Sequence, residues 1–261
     1  MDRRNNNVRL WQLGLFALVV LGWEYSVRWG WVDAFFFSMP SDISLRIVEW
    51  FRSGEVYRHL WITLAETVLA FVSGTAAGVV FGLWLALSPL AAAVLDPFLK
   101  ALNSIPRVIL APIFTLWFGL GMASKVALGF TLVFFIAFFN TYQGIREVNP
   151  LLLANARMLG ADRAQLLRHV YLPSAASWIL SSLRTSVGFA VIGAVVGEYL
   201  GASAGLGYVI SQAEGVFDTT SVFAGIVVLA VFVVLLDVVV SRVEERLLVW
   251  RPRPDQEGGT V

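Results

Sequence analysis

Glu66, Arg184, Glu198 and Asp237 each stand inside a long apolar stretch of the chain, where a charge is costly enough to be kept for binding, ion transfer or pairing. An arginine in such a place has the planar donor fork that takes planar or tetrahedral oxyanions. Asn103, Ser104, Asn140 and Ser181 offer neutral hydrogen bonds to a ligand of the same kind. Each has an ordinary alternative. Glu66 and Asp237 lie near the ends of their stretches, where carboxylates snorkel or meet arginine, and neutral polar groups bridge helices without touching a ligand. Arg184 and Glu198 are fourteen residues apart on one expected helix, about 21 Å along its axis, too far to pair with each other.

Nucleophilic chemistry has one literal pattern, Gly201-Ala202-Ser203-Ala204-Gly205, which matches a hydrolase elbow. That elbow needs a strand before the serine, a helix after it and a base within reach. The two histidines, His59 and His169, are far from Ser203 in sequence and are expected on opposite sides of a membrane. Cysteine is absent, which excludes a disulfide framework and thiolate metal sites. No Gly-x-x-x-x-Gly-Lys-Ser/Thr loop occurs, so the chain carries no P-loop nucleotide site. The expectation is no catalytic residue, no metal and no cofactor.

The elements that must position these groups follow from composition. Of 261 residues 58% are hydrophobic and 14% charged, and the mean hydropathy is +0.75, too apolar for a chain that must cover its core with polar residues. A net charge of +1 with scattered arginines gives no basic stripe, which argues against a nucleic-acid partner.

A hydrocarbon core of about 30 Å needs roughly 20 apolar helical residues. Six stretches qualify approximately: 10–27, 61–87, 105–120, 123–142, 174–200 and 221–240. The first follows a basic start and ends at Arg28-Trp29-Gly30-Trp31, which suits an uncleaved anchor with an aromatic belt better than a signal peptide. Gly119-Leu120-Gly121-Met122 forms a tight turn between the third and fourth. Placing the N-terminus inside puts Arg3, Arg4, Arg9, Lys100, Arg107, Arg146, Arg157, Arg163, Arg168, Arg242, Arg246, Arg251 and Arg253 in the cytoplasm, against Arg28, Arg46, Arg52, Arg58 and Lys125 outside. Both termini are therefore expected in the cytoplasm. Arg184 then falls in the inner half of the membrane and Glu198 near the outer mouth.

The stretch opened by Pro40-Ser41-Asp42 sets Ile43, Ile47, Trp50 and Phe51 on one helical face, and Gly54 ends it, which predicts a short amphipathic helix lying on the outer surface. Gly74, Gly78 and Gly82, and likewise Gly193, Gly197 and Gly201, predict close helix approach, within one subunit or between two.

Between the fourth and fifth spans lies a patterned loop. Asn149 caps, Pro150 fits the first helical position, and Gly160 stops a helix. A second helix is expected over Asp162 to Tyr171 before Leu172-Pro173 returns the chain to the membrane. A cytoplasmic helix of about three turns is marginal alone, so Leu152, Ala156 and Leu159, rimmed by Arg157, Asp162, Arg163 and Arg168, suggest a face that docks on a partner.

This loop resembles the signature of inner-membrane permeases of binding-protein-dependent ABC importers, Glu-Ala-Ala, three residues, Gly, nine residues, Ile, one residue, Leu-Pro. The chain offers Ala154-Asn155-Ala156, Gly160 followed by Ala161, Val170 and Leu172-Pro173 at that spacing. Ala154 replaces the glutamate, Asn155 the first alanine and Val170 the isoleucine. The resemblance runs from about Trp61 to Glu245 and is nearest to the nitrate, sulfonate and taurine group, through Ser38-Met39-Pro40-Ser41, Leu116-Trp117-Phe118-Gly119-Leu120-Gly121, Asn140-Thr141-Tyr142-Gln143-Gly144 and Gly197-Glu198-Tyr199-Leu200-Gly201 with Gly205-Leu206-Gly207. It implies an all-α, polytopic bundle of the type I importer fold in the bacterial inner membrane. It also implies a second permease subunit, two cytoplasmic ATPases that receive the loop helix, and an extracytoplasmic solute-binding protein. The chain divides accordingly into an anchor with its outer helix at 1–60, a permease core at 61–247 with its coupling loop at 145–173, and a tail at 248–261. The expected solute is a small anion such as a sulfonate, nitrate or carboxylate. An ion-coupled secondary transporter is the alternative; it would show inverted repeats, none of which is evident, and has no use for the loop.

Overall fold

The structure, a computed structural model, describes residues 2–247; the tail at 248–261, with Arg251 and Arg253, lies outside them. Its elements are α1 (Asp2–Arg28), α2 (Ala34–Phe37), α3 (Pro40–Ser53), α4 (Glu55–Ala86), α5 (Pro89–Ser104), a 3-10 turn (Arg107–Leu110), α6 (Ala111–Phe118), α7 (Met122–Arg146), α8 (Pro150–Met158), α9 (Arg163–Leu166), a π turn (Leu167–Tyr171), α10 (Leu172–Gly201), α11 (Leu206–Gly215) and α12 (Thr219–Leu247). Among the described residues there is no strand. Five of these helices are long and apolar enough to cross a membrane, and the pair Pro89–Ser104 and Arg107–Phe118, bent by 85°, makes a sixth crossing when taken as one broken span.

The core is a three-helix seam with α7 in the middle. Gly74 meets Val133, Gly78 meets Ala137 and Gly82 meets Thr141, so α4 runs parallel to α7; Gly193 meets Gly129 and Gly144 meets Trp178, so α10 runs antiparallel to it. These glycines are required by space. A Cβ on Gly78 would lie 2.6 Å from the Phe134 carbonyl oxygen, and one on Gly193 2.3 Å from Gly129 Cα, closer than packed atoms tolerate. Both glycine series thus pack within the chain, and fully buried Ala70, Val133 and Ala190 fill the seam between them.

Because α4 and α7 are parallel, the end of α4 lies beside the end of α7 and the start of α6's exit turn lies at the other pole. The chain from Leu87 to Gly121 therefore crosses the bundle. The expected third span at 105–120 is corrected here: α6 is only eight residues long, and the crossing is completed by α5, which breaks from it at Ile105-Pro106, where both residues have extended backbone. Proline removes a donor and forces its predecessor out of the helical region, which accounts for the break.

Two cations expected at the membrane faces, Arg107 on the cytoplasmic side and Lys125 outside, lie within the bundle. Arg107 lies at this break, its guanidinium carbon 4.4 Å from the Phe135 ring centre, halfway along α7. Lys125 is 1% exposed, inside the seam.

The amphipathic helix forms as expected from Pro40 to Ser53, ended by Gly54 at φ +82°. Its Ile47 and Trp50 pack with Leu60 around buried Val56, Leu206 and Val228, which ties α3, α4, α11 and α12 together. Arg46 of α3 holds Asp218 at 2.8 Å. Among the described residues α1 is fastened at its C-terminal end. Glu24 accepts hydrogen bonds from the Ser41 amide (3.0 Å) and hydroxyl (2.9 Å), while Leu10 to Val19 stay exposed.

Candidate functional site

Two polar constructions stand at opposite poles of the seam. One is the loop after α7. Asn149 Oδ1 accepts from the Leu151 amide at 2.9 Å, Pro150 opens α8, and Gly160 at φ +85° closes it. Asp162 and Gln165 form a reciprocal capping box at 2.7 and 2.9 Å that starts α9. The expected second helix is interrupted, since it passes through the π turn before joining α10.

The loop has its own small core: Leu153, Ala156, Ala161 and Tyr171 pack on buried Val148, Leu166 and Val170. This refines the expected docking face, because Ala156 turns inward. The outward apolar residues are Leu151, Leu152, Met158 and Leu159, with Leu159 89% exposed. Ala154, Asn155, Arg157, Gly160, Leu172 and Pro173 are also exposed.

The other construction surrounds Glu198, which is 1% exposed. Its Oε1 accepts the Thr63 hydroxyl at 2.6 Å and its Oε2 the Gly207 amide at 2.7 Å. Thr63 Oγ1 in turn accepts the Leu206 amide at 2.9 Å, and His59 Nδ1 accepts the Gly205 amide at 3.0 Å. Gly205 has φ +117°, and a Cβ there would lie 2.2 Å from the Glu198 carboxylate, so no other residue fits. Lys125 Nζ donates to the carbonyls of Leu120 (2.6 Å) and Gly201 (2.5 Å), closing α10 at its C-terminal end, where a cation complements the helix dipole. Glu66, 2% exposed, lies within the electrostatic reach of Glu198 and Lys125. The group clasps the 202–206 turn to α4, α7 and α10. Sequence reasoning flagged Glu66 and Glu198 singly but missed their partners, since Thr63 and Lys125 join Glu198 only through tertiary contact.

The candidate pathway residues do not converge on one point. Arg184 is bound bidentately by Asp237, Nε to Oδ1 at 3.0 Å and Nη2 to Oδ2 at 2.8 Å, which joins α10 to α12 with both side chains about half exposed. Ser181 is exposed one turn away. Asn103 Oδ1 accepts from Arg107, and the Ser104 hydroxyl donates to the Lys100 carbonyl at 2.9 Å. Asn140 donates to the Ile136 carbonyl at 2.8 Å and lines a cavity beside Lys100 and Trp178. Glu198 is enclosed. Ser203 lies in a turn between two helices, which lacks the strand that a hydrolase elbow needs.

A bundle of spans with a capped loop helix and no strand matches the sequence signature in three dimensions, and comparison with known proteins agrees. Residues 78–249 match the family described as the inner membrane component of binding-protein-dependent transport systems. The chain belongs to this family. The permease is 37% identical to the putative aliphatic sulfonates transport permease protein of Bacillus subtilis (strain 168), over 92% of this chain and 88% of that one. It is 28% identical to the taurine transport system permease protein of Escherichia coli (strain K12), over 91% and 88%. Among solved structures, the MetNI methionine ABC transporter in inward-facing conformations superimposes with a TM-score of 0.63 at 22% identity, over 73% of the permease and 95% of that chain, which establishes the type I importer fold. The permease is thus a multi-pass inner-membrane protein of an ABC importer in the sulfonate and taurine group, and this rules in favour of the importer over an ion-coupled carrier.

Proposed function

We propose that the chain forms the translocation pathway for a small organic anion of the alkanesulfonate type, as one half of a homodimer that receives solute from an extracytoplasmic binding protein. ATP is hydrolysed by two separate cytoplasmic subunits, and α8 couples their closure to the bundle. Both termini and the loop face the cytoplasm.

The observation that carries this reading is the outward face of α8. Leu151, Leu152, Met158 and Leu159 are exposed on a rigid, capped element that has its own core beneath, and a large apolar face held rigid in water marks a docking site. No nucleotide-binding loop exists in the chain, so the energy source is a partner. The positive-inside count favours this loop on the side where ATP is available, and the names of two relatives, the aliphatic sulfonates and taurine permeases, support the solute class.

The test is ATP-dependent uptake of a labelled alkanesulfonate in proteoliposomes holding the permease with its co-encoded ATPase and binding protein, comparing the parent with Leu159→Asp. Because Leu159 is almost fully exposed, the bundle stays folded, and uptake together with ATPase co-purification falls. Unchanged uptake in this variant would remove α8 as the coupling element. Uptake that needs no ATPase would remove the whole reading.

A further inference from the structure

Three arginines have carboxylate partners: Arg184 has Asp237, Arg46 has Asp218, Arg28 has Glu24. Arg107 has none among the described residues. It donates to Asn103 Oδ1 at 2.5 Å and lies over the Phe135 ring. Phe135 is 13 residues from the start of α7 and 11 from its end, so the guanidinium is about 20 Å and about 17 Å from the two poles along the helix axis. A cation at mid-depth without a counter-charge is under-compensated, and it stands where a span is broken by 85°, the kind of discontinuity at which transported ligands are held.

Below it, α7 continues one aromatic face. Phe135 and Phe139 are 6.1 Å apart between ring centres; Tyr142 follows, with Arg146 against it through a 2.8 Å hydrogen bond to the hydroxyl and a 5.5 Å approach to the ring. Arg146 likewise has no ion pair among the described residues. Positions 135, 139, 142 and 146 repeat at helical spacing and share one side of α7. A cavity of about 690 Å³ opens against Phe139, Tyr142 and Arg146, lined also by Asn140, Trp178, Lys100 paired with Asp96 at 2.6 Å, and Glu147, whose carboxylate accepts from Gln143 at 2.7 Å. It is large enough for a small organic solute, and Arg146 is its one charged side chain with neither a salt bridge nor a hydrogen bond to a carboxylate or amide among the described residues.

We propose that Arg107 is the oxyanion-reading residue of the translocation pathway and that the Phe139 to Arg146 face is the exit vestibule below it, selecting a small anion with a short apolar body such as an alkanesulfonate or carboxylate. The fork of Arg107, already oriented by Asn103, takes the oxygens, the rings take the carbon body, and Arg146 provides the second cation on the way out. The assignment rests on the permease reading and names the residue that reads its anion.

The absence of cysteine makes a direct test available. Ser104→Cys places the permease's sole thiol three residues before Arg107, at the last position of α5 beside the break. In the full permease assembled with its ATPase, the thiolate is allowed to react with 2-sulfonatoethyl and 2-trimethylammonioethyl methanethiosulfonate, each giving a mixed disulfide and releasing methanesulfinate. The rate ratio of anionic to cationic reagent reports local anion preference, and any effect of Arg107 on thiol ionisation cancels in it. Adding Arg107→Gln lowers the ratio about tenfold, and Arg107→Lys restores most of it. A ratio indifferent to Arg107→Gln overturns the proposal, as does a thiol unreactive toward both reagents. If the ratio shifts as expected but the parent complex takes up no alkanesulfonate with ATP, the oxyanion site stands and the importer reading of the solute falls.

Discussion

The clasp around Glu198 and the loop bearing α8 stand at opposite poles of one bundle and are built by opposite rules. At the clasp the charged groups are enclosed and bonded: Glu198 with Thr63, Gly207 and Glu66, Lys125 with two carbonyls, and only the Glu66 Oε2 lacks a partner. At the loop the polar groups are spent on local caps, and the large apolar side chains face out. A buried charge is costly unless its bonds are complete, so the clasp is suited to fixing geometry. An exposed apolar helix face gains by being covered, so the loop is suited to meeting another protein. One pole is built to hold the helices in register; the other is where the proposed partner would move them.

This contrast predicts unequal responses to substitution. The largest is expected for Glu198→Leu, which strands the Gly207 amide, leaves the Thr63 hydroxyl only the His59 carbonyl at 3.1 Å, and removes the carboxylate that ties the turn beside Lys125. The loss is about 3–5 kcal/mol, seen as a lower unfolding temperature and lost monodispersity in detergent. A variant as stable as the parent would show that the clasp contributes nothing. Next is Leu166→Ala beneath α8. Leu166 is 6% exposed, and truncation costs about 2–3 kcal/mol within the loop's own small core. Limited proteolysis between 149 and 171 should accelerate while the unfolding of the bundle is unmoved. If the bundle melts with it, the loop is not a separate unit.

Leu159→Asp is the converse case. With the side chain 89% exposed, stability changes by no more than about 0.5 kcal/mol, yet loss of a central docking residue is worth about 1.4 kcal/mol or more at an interface, a factor of ten in ATPase binding. A binding titration between permease and ATPase measures it. Equal affinity for parent and variant would move the contact elsewhere on the loop.

How far these features are readable before folding follows the range of the interactions. Asn149, Pro150 and Gly160 announce α8 because caps act over three or four residues, and the five long spans announce themselves by hydropathy alone. The inward turn of Ala156 depends on where Leu166 and Val170 come to rest, which periodicity does not say. The broken span misleads for a physical reason: Asp96 and Lys100 lower the hydropathy of α5, so the apolar run after Pro106 looks like a complete span when it is half of one. Arg107, at the start of that run, accordingly reads as a cation at the cytoplasmic end of a span. Lys125, next to a glycine turn, looked like a surface cation, and only the packing of Gly197 and Gly201 brings carbonyls to it. Arg184 and Asp237 are 53 residues apart, and nothing local selects that pairing over others.

The smallest expected effect lies near the clasp pole but outside the seam. Arg46 joins α3 to the α11–α12 turn through Asp218 at 2.8 Å and Ser221 at 2.5 Å, with about a third of each charged side chain exposed, 35% for Arg46 and 34% for Asp218. Burial raises the Asp218 carboxyl, but hydrogen bonds from the Ser221 hydroxyl and amide and from Arg46, together with the charge of Arg46, outweigh it and hold the group below its ordinary value. A folded-state value below the unfolded one adds stability above the ordinary carboxylate range, and this is lost as pH falls below about 4. Solvent screening keeps the ion pair to about 0.2–1 kcal/mol. Arg46→Ala should therefore lower the unfolding temperature slightly at neutral pH and narrow its gap to the parent as pH drops below about 4, a gap that added salt also narrows. If the deficit persists unchanged at low pH and high salt, Arg46 acts through the packing of its stem against α12 rather than through its charge, and α3 is held by the same apolar means as the rest of its face.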